Sequence, residues 1–478
     1  MGSVFGKYVG NVTPGLLKNL GNRKRKYSQD NDSDIEGNGE VESAIYPPKR
    51  RKVKKKLLST PQYIYQALFK EGSDSDITLV ALGKEWKLHK IYLCQSPYFA
   101  SMFSGSWKET NENIVHIKIV DPKITLESLY TVLGSLYFNE LNLESGQLVS
   151  VLATAALFQL DSMSERCAEV MIETLDMDVV LYYYDAALEY GVSSLKEAAC
   201  NWLLANLLTY VRGYPEVLSM ISVDLMTTLV SSPNLFVVQT ESSVYFMLQT
   251  WLYYILNPNE KKRGNNQQVL ERSSEYFQSI YKGTEFLLTE EGKKYAPPFK
   301  ALRFQHLINL LDDMNRIRSD HIVPDEWMRD AIITAWSSLL KFDHGVDRGP
   351  RQYTEAEISN NGLRCGRILH DDGEHVWRWM GFYGGLDLVW TCKNHSVMVR
   401  RNHRGNDGSI LSMANRRYIA CRITIAKLNN QRQMEYIEKS AVQILQFSKH
   451  DEVVVMNFKA DITFPVYLLG ELVFSSSE

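Results

Sequence analysis

Apolar and polar residues follow different patterns in successive parts of the chain. In residues 1–57 the apolar residues stand singly among Gly, Asn, Ser, Asp and basic side chains, and no period emerges. Such a stretch cannot bury enough apolar surface to fold, so we predict a disordered basic N-terminal tail. Residues 58–175 combine alternating segments, such as 76–82, with segments of helical period, such as 126–136, which predicts an α/β domain.

The remainder of the chain separates into a helical and a β-rich part. Residues 176–345 repeat apolar positions at helical spacing, which predicts an all-α helical domain. Within residues 350–478 the pattern returns to alternation after about residue 362, as in 418–425 and 466–474, with Gly, Asn and Asp clusters between the segments. This pattern predicts a C-terminal all-β, sandwich-like domain, and the lack of an internal repeat argues against a propeller. The predicted fold class is therefore multidomain α+β.

Charge is distributed unevenly along the chain. The 478 residues include 53 Lys and Arg and 56 Asp and Glu, a net charge of −3. Residues 1–57 hold 13 of the basic and 6 of the acidic residues, so this segment carries +7 and the remainder −10. The overall charge therefore indicates neither a nucleic-acid nor a membrane surface. Six scattered cysteines and the lack of an apolar run of about 18 residues favour a soluble protein of a reducing, intracellular compartment.

Sequence motifs for catalysis are missing. No phosphate-binding glycine loop, Gly-x-Ser-x-Gly or His-Glu-x-x-His pattern occurs. The acids and histidine at 371–375 lie between two predicted strands, so we interpret them as a hairpin loop. Cys392, His395 and His403 lack a fourth ligand, so we predict no metal site and no cofactor. We therefore expect a non-catalytic protein.

Residues 75–103 carry a recognisable motif. The segments SDITL at 75–79, LHK at 88–90 and LCQSPYFASMF at 93–103 resemble the BTB (POZ) domain, and the helical region that follows resembles a BACK domain. Further segments are WKLHKIYLCQS at 86–96, FSGSWKE at 103–109, SPNLFV at 232–237, RCGR at 364–367 and WRWMGF at 377–382. They resemble the germ cell-less family of BTB/BACK proteins, and this resemblance covers about residues 45–478.

The resemblance implies a substrate-recognition adaptor of a cullin-3 ubiquitin ligase, with a role in germ-cell formation. Such adaptors contact the cullin through a hydrophobic–x–Glu element after the SPYF helix, which here assigns Trp107 as anchor and Glu109 as acceptor, with Phe103 beside them. An exposed Trp among charged residues is also typical of an interface hot spot. A second contact, from the first helix pair of the BACK-like region at 179–208, is assigned to Tyr182 and Tyr183. The C-terminal domain would hold an unidentified client protein.

The BTB resemblance also implies a homodimer formed through residues 60–175. Asp76 and His89 form a polar pair that brackets two strands, and the resemblance assigns them to the neighbourhood of the dimer interface. Tyr63 and Ile64 join them from the first helix, which in dimeric BTB domains exchanges contacts with the second subunit. An ordinary capping or turn role for Asp76 is the alternative.

Two other classes of function stay open at this point. One is a non-catalytic scaffold at the nuclear envelope that restrains transcription factors, and the other is a transcriptional co-regulator. Arginines at 400, 401, 404, 416 and 417 place cations in the C-terminal domain. Because the sequence contains no zinc finger, basic zipper or other DNA-reading module, we expect no direct nucleic-acid binding.

The N-terminal tail carries two predicted localisation signals. A dense basic run after two prolines predicts a nuclear import signal, with residues 23–26 as a second basic cluster. The nucleus is therefore an expected location, the family resemblance implies the nuclear envelope as well, and the cytoplasm is the alternative. The residues of the dense run are Lys49, Arg50, Arg51, Lys52, Lys54, Lys55 and Lys56.

Gly2 is a candidate for N-myristoylation once Met1 is removed. The motif asks for Ser or Thr at the sixth position, where this chain has Gly6, so the match is incomplete. Neighbouring basic residues would supply the second signal that one acyl chain requires for stable membrane anchoring. The mass of the N-terminal peptide from expressing cells tests the modification.

Overall fold

Most of the chain beyond residue 58 is described by a computed structural model. Residues 58–478 form one compact unit. The N-terminal tail, with Gly2 and both basic clusters, lies outside the described residues. The described ranges are 59–105, 112–138, 143–260, 265–379, 386–401, 416–448 and 451–476.

A small three-stranded sheet with flanking helices forms the first part of this unit. Its strands occur in the order β2-β1-β3, with β1 antiparallel to β2 and parallel to β3. Alternate residues of β1 are buried, as the sequence pattern predicted. The elements are α1 (Thr60–Ile64), which continues as a π-helical turn (Tyr65–Lys70), β1 (Ile77–Ala81), β2 (Lys84–Leu88), α2 (Lys90–Leu93), α3 (Pro97–Ser104), β3 (Ile114–Ile117) and α4 (Leu126–Ser135).

Helices make up the middle of the chain, also as predicted. One apolar core extends from Phe69 to Met328, so the small sheet and most of the helices share a single interior and packing is continuous across residue 175. The helices are α5 (Leu148–Leu157), α6 (Asp161–Glu173), α7 (Val180–Glu189), α8 (Ser193–Asn206), α9 (Pro215–Leu218), α10 (Val223–Ser231), α11 (Glu241–Leu256), α12 (Asn266–Ile280), α13 (Ala296–Lys300), α14 (Leu311–Ser319), α15 (Asp325–Asp343) and α16 (Glu355–Asn361). The last of these lies within residues 350–478 but before residue 363, where the predicted strands begin.

Two sheets form the C-terminal β-rich region. One contains β4, β8, β9, β10 and β12, the other contains β5, β6, β7 and β11, and residues of both sheets share one apolar core. All eight residues of β12 are buried, because its second face is covered by residues such as Phe236 and Ile358. The strands are β4 (Leu363–Leu369), β5 (His375–Trp377), β6 (Leu388–Lys393), β7 (Ser396–Arg401), β8 (Arg417–Leu428), β9 (Met434–Lys439), β10 (Gln443–Phe447), β11 (Glu452–Asn457) and β12 (Val466–Val473).

Candidate functional site

Asp76 and His89 both have partners within their own chain. His89 is buried, and its Nε2 lies 2.8 Å from the Ser73 carbonyl oxygen, which requires Nε2 to carry the proton and donate it. In a neutral ring with that proton, Nδ1 is the acceptor for the Tyr137 hydroxyl, 3.1 Å away. Asp76 Oδ1 accepts from the backbone N–H of Lys90 at 2.8 Å and so caps α2. These contacts give Asp76 the alternative capping role, and a dimer role for the pair stays a prediction.

The first helix presents one aromatic side chain to solvent. Tyr63 is 61% exposed, whereas Ile64 is half-buried and packs against the core. A capping box between Ser59 and Gln62 defines where α1 begins. Tyr63 is therefore the residue of this helix most available to a second subunit, and its part in a dimer also stays a prediction.

Helix α3 leads directly to the predicted cullin contact. The Ser96 hydroxyl accepts from Phe99 N–H at the start of the helix, and Phe103 near its end stacks on Phe99 with a 6.0 Å centroid separation. The Lys90 ammonium lies 5.3 Å from the centroid of the half-buried Phe103 ring. Trp107 and Glu109 follow this helix but lie outside the described residues.

Tyr182 and Tyr183 separate on helix α7. The Tyr182 side chain is 50% exposed, whereas that of Tyr183 is 2% exposed and belongs to the apolar core. Neighbouring residues on an α-helix point about 100° apart, so only one of the two can face a partner here. The assignment of Tyr183 to the cullin contact is therefore corrected, and Tyr182 remains the candidate from this helix.

Polar contacts fasten α7 to the turn that precedes α4. Lys123 and Glu189 form an ion pair, and the Tyr190 hydroxyl donates to Asp121 Oδ2 at 2.8 Å. The hydrogen bond to Glu189 raises the pKa of the Lys123 ammonium despite some burial, and the nearby Tyr182 hydroxyl adds to the shift. These contacts hold the helix that carries Tyr182 against the small sheet and its helices.

A buried ion pair joins the helical part to the β-rich region. Arg364 at the start of β4 donates from Nε and an Nη to both carboxylate oxygens of Glu241, at 3.1 and 2.6 Å, and neither side chain is exposed. The same carboxylate accepts the backbone N–H of Arg303 at 3.0 Å, while Arg364 also donates to the carbonyls of Val230 and Ser232. Burial opposes ionisation of Glu241, but the charge and hydrogen bonds of Arg364 hold its pKa below the usual value.

A second junction is formed by the turn between β8 and β9. The Gln433 side-chain amide donates to three carbonyls at the end of α6, those of Ile172, Glu173 and Leu175, at 2.9–3.2 Å. From α8, Trp202 Nε1 donates to the Gln431 carbonyl oxygen at 3.1 Å and Asn206 Nδ2 to that of Arg432 at 2.9 Å. The β-rich region therefore contacts α6 as well as the later helices.

Several residues of the β-rich region were candidates for a hairpin loop, a metal site or a basic surface. Residues 370–374 join β4 to β5, and His375 begins β5. Because β4 and β5 belong to different sheets, this loop is not the predicted hairpin. Burial raises the pKa of the Cys392 thiol to about 11, and His403 lies outside the described residues. No cluster of three metal-binding side chains occurs in the described part of the chain. Arg417 is fully buried with its guanidinium 3.7 Å from the Phe342 ring centroid, so it cannot belong to a solvated basic surface.

Sequence reasoning missed both junctions. Glu241 opens a largely apolar helix, and an acid in a first helical turn is usually a surface residue that interacts with the helix dipole. Arg364 stands within the RCGR segment that carries the family resemblance, but the sequence does not show that its partner lies 123 residues earlier. Helix α16 did have a local signal, because Thr354 and Glu357 form a capping box.

Across the described residues, we find no helix that is both long and apolar enough to cross a lipid bilayer.

Comparison with known proteins assigns the chain to a family. Residues 65–175 match the BTB/POZ domain family. The chain is 37% identical to Protein germ cell-less of Drosophila melanogaster over 97% of its own length and 84% of that protein, and 39% identical to Germ cell-less protein-like 1 of Mus musculus over 89% and 81%. It is 29% identical over 40% of its length to Kelch repeat and BTB domain-containing protein 8 of Danio rerio. The chain therefore belongs to the germ cell-less family of BTB-domain proteins.

Proposed function

We propose that the protein is a non-catalytic adaptor of a cullin-3 ubiquitin ligase, which dimerises through its BTB domain and holds a client protein with its C-terminal region. The observation that carries this proposal is the BTB match at residues 65–175 in a chain whose β-rich region is fastened to the same segment. Gln433 makes that connection by capping α6. The proposed cullin-binding surface and the proposed client-binding surface would thus be connected by direct contacts between the two parts.

The mechanism would be one of proximity. Trp107, Glu109, Phe103 and Tyr182 would dock the cullin, and the β-rich region would present the client, so that ubiquitin transfer to client lysines becomes effectively intramolecular. The half-exposed Tyr182 supports this proposal, because the Lys123–Glu189 and Tyr190–Asp121 contacts hold its helix against the BTB segment.

Replacing the predicted anchor tests the cullin contact directly. A Trp107→Ala, Glu109→Ala variant is expected to lose cullin-3 in co-purification and to bind it at least about 30-fold more weakly, because hot-spot truncations cost roughly 2 kcal/mol or more. Tyr182→Ala should weaken binding by a smaller factor. Biolayer interferometry with purified full-length chain and cullin-3 measures both.

Met220→Ala is the matched control for these variants. Met220 is 69% exposed in the helical part and has no assigned role, so its loss removes a similar exposed apolar side chain. If the unaltered chain does not bind cullin-3, the adaptor proposal is wrong and the nuclear-envelope scaffold becomes the better hypothesis. If the Trp107→Ala, Glu109→Ala variant still binds cullin-3, the assignment of the loop contact is wrong.

Nuclear localisation is a separate part of the proposal. Replacing the seven basic residues between Lys49 and Lys56 by Ala should move the protein from nucleus to cytoplasm, because import receptors read exposed basic runs through acidic grooves. Fluorescence microscopy of a tagged full-length chain measures the ratio of nuclear to cytoplasmic signal. Replacing residues 23–26 alone is the comparison, and an unchanged ratio in the seven-residue variant would exclude an import role for the dense run.

A further inference from the structure

Helix α15 exposes an apolar stripe through its middle. Of its 19 residues, Met328 and Phe342 near the two ends are buried, and the central turns face solvent. Ile332 is 41% exposed, Ile333 59%, Trp336 54% and Leu340 44%. Contiguous exposed apolar side chains that include a Trp are typical of a protein–protein contact.

The residues of this face are arranged symmetrically around Trp336. Arg329, Ile332, Trp336, Leu340 and Asp343 follow one another at spacings of three, four, four and three residues. At 100° per residue all five point within about 40° of the direction of Trp336, so they form one straight stripe. The residues between them are mirrored as well, since the central segment reads IITAWSSLL.

The charges at the two ends of the stripe are opposite. Arg329 and Asp343 are both exposed, and neither side chain has a hydrogen bond or ion pair with another residue that the structure describes. They lie 14 positions apart, which is about 21 Å along the helix axis at 1.5 Å per residue. A partner that matches this face must therefore offer an acid beside Arg329, an apolar centre and a base beside Asp343.

We propose that this face binds the same face of a second copy of the chain, with the two α15 helices antiparallel and a two-fold axis at Trp336. In that arrangement Trp336 meets Trp336 of the second copy, and Ile332 packs against Leu340 of the second copy. Arg329 pairs with Asp343 of the second copy, and the reverse pair forms at the other end. An isologous contact requires this self-complementarity, because residue i contacts residue j and residue j contacts residue i.

The size of the face sets the expected strength. Four half-exposed side chains of about 200 Å² each would bury roughly 400 Å² per copy, less than the roughly 600 Å² per partner at the lower end of specific stable complexes. We therefore expect a weak association on its own, which contributes most when another contact already brings two chains together.

Cysteine cross-linking tests the two-fold axis. In the full chain, Trp336→Cys places two thiols opposite each other, so mild oxidation should yield a covalent dimer on a non-reducing gel. Thr334→Cys is the matched control, because Thr334 is also exposed but points about 160° away from the stripe. The unaltered chain sets the background, since Cys94 is exposed. Cross-linking at position 334 as fast as at 336 would overturn the proposal.

A charge exchange provides the second test. Arg329→Asp and Asp343→Arg should each weaken self-association in sedimentation velocity across a concentration series, because each puts like charges opposite each other. The double variant Arg329→Asp, Asp343→Arg should regain the association, since the pairs re-form with exchanged signs. If the double variant self-associates no more strongly than the single variants, the proposal is overturned. That result is expected if the stripe binds a helix of a client protein instead. Adding Trp336→Cys to the Trp107→Ala, Glu109→Ala variant should give the same cross-linked dimer, so the outcome is independent of cullin binding.

Discussion

Glu241→Gln is expected to lower the free energy of unfolding by about 3–5 kcal/mol, the usual cost of removing one partner from a buried ion pair. The carboxylate accepts three hydrogen bonds, two from the Arg364 guanidinium and one from the Arg303 backbone. A glutamine amide keeps the size but has one acceptor oxygen, so the fully buried Arg364 would keep its charge without a counter-ion. Chemical unfolding followed by tryptophan fluorescence measures the change.

The exposed ion pair between Lys293 and Glu290 supplies the control. Glu290 lies at the surface, so Glu290→Gln should leave the unfolding midpoint almost unchanged. Arg364→Met alone should be as harmful as Glu241→Gln, and the double variant should be less harmful than the sum of the two, because the buried charge is then gone. Additive effects would show that Glu241 and Arg364 do not act as a pair.

The dependence of folding stability on pH offers an independent test of the same ion pair. The pKa of Glu241 lies below its usual value in the folded chain, so the folded state holds the carboxylate ionised where the unfolded state begins to bind a proton. The resulting stabilisation is present above the unfolded pKa of about 4.3 and is lost as the pH falls through the folded value. The Glu241→Gln variant should therefore show a smaller loss of stability on acidification than the unaltered chain.

Gly366→Ala is the second substitution with a large expected effect. A Cβ at this position would lie 1.9 Å from the Val237 carbonyl oxygen, and backbone cannot move away as a flexible side chain can. Gly366 also exchanges two backbone hydrogen bonds with Gln239, at 2.9 and 3.1 Å, which attach β4 to the segment before α11. Separating these backbones should cost about 3 kcal/mol or more. Denaturant titration and soluble yield measure the loss.

Gly213→Ala is the matched glycine control. An added Cβ at Gly213 meets nothing within 4 Å, and no positive φ occurs there. We expect its effect on stability to stay within about 0.5 kcal/mol. If the two substitutions prove equally mild, the close approach of β4 to residues 237–239 is not a feature of the folded protein.

Local patterns predicted the elements better than they predicted the contacts between them. The alternation in β1 and the helical period of α11 arise from which face is buried, and that information lies within a few residues. The position of β12 was also predicted, but its complete burial depends on Phe236 and Ile358, which arrive from distant parts of the chain. The Glu241–Arg364 pair is equally non-local, so neither residue can be interpreted from its own neighbourhood.

The candidate site was also predicted only in part from the sequence. The family motif located Phe103 near the end of α3 and Tyr182 on α7. It did not distinguish Tyr182 from the buried Tyr183, because aromatic residues next to each other on a helix differ only in the direction they face. The capping role of Asp76 was among the alternatives that the sequence left open, since a carboxylate beside a short helix commonly caps it.

Gln433 also has a consequence for the order in which the protein is made. The carbonyls at the end of α6 leave the ribosome 258 or more residues before the side chain that caps them. At about 5–20 residues per second, these groups are without the Gln433 side chain for roughly 10–50 s of synthesis. During that interval the BTB segment and the helices can already fold around their own core, whereas the last turn of α6 waits for the β-rich region. A chain halted before residue 433 would therefore lack the three hydrogen bonds that Gln433 donates to the end of α6.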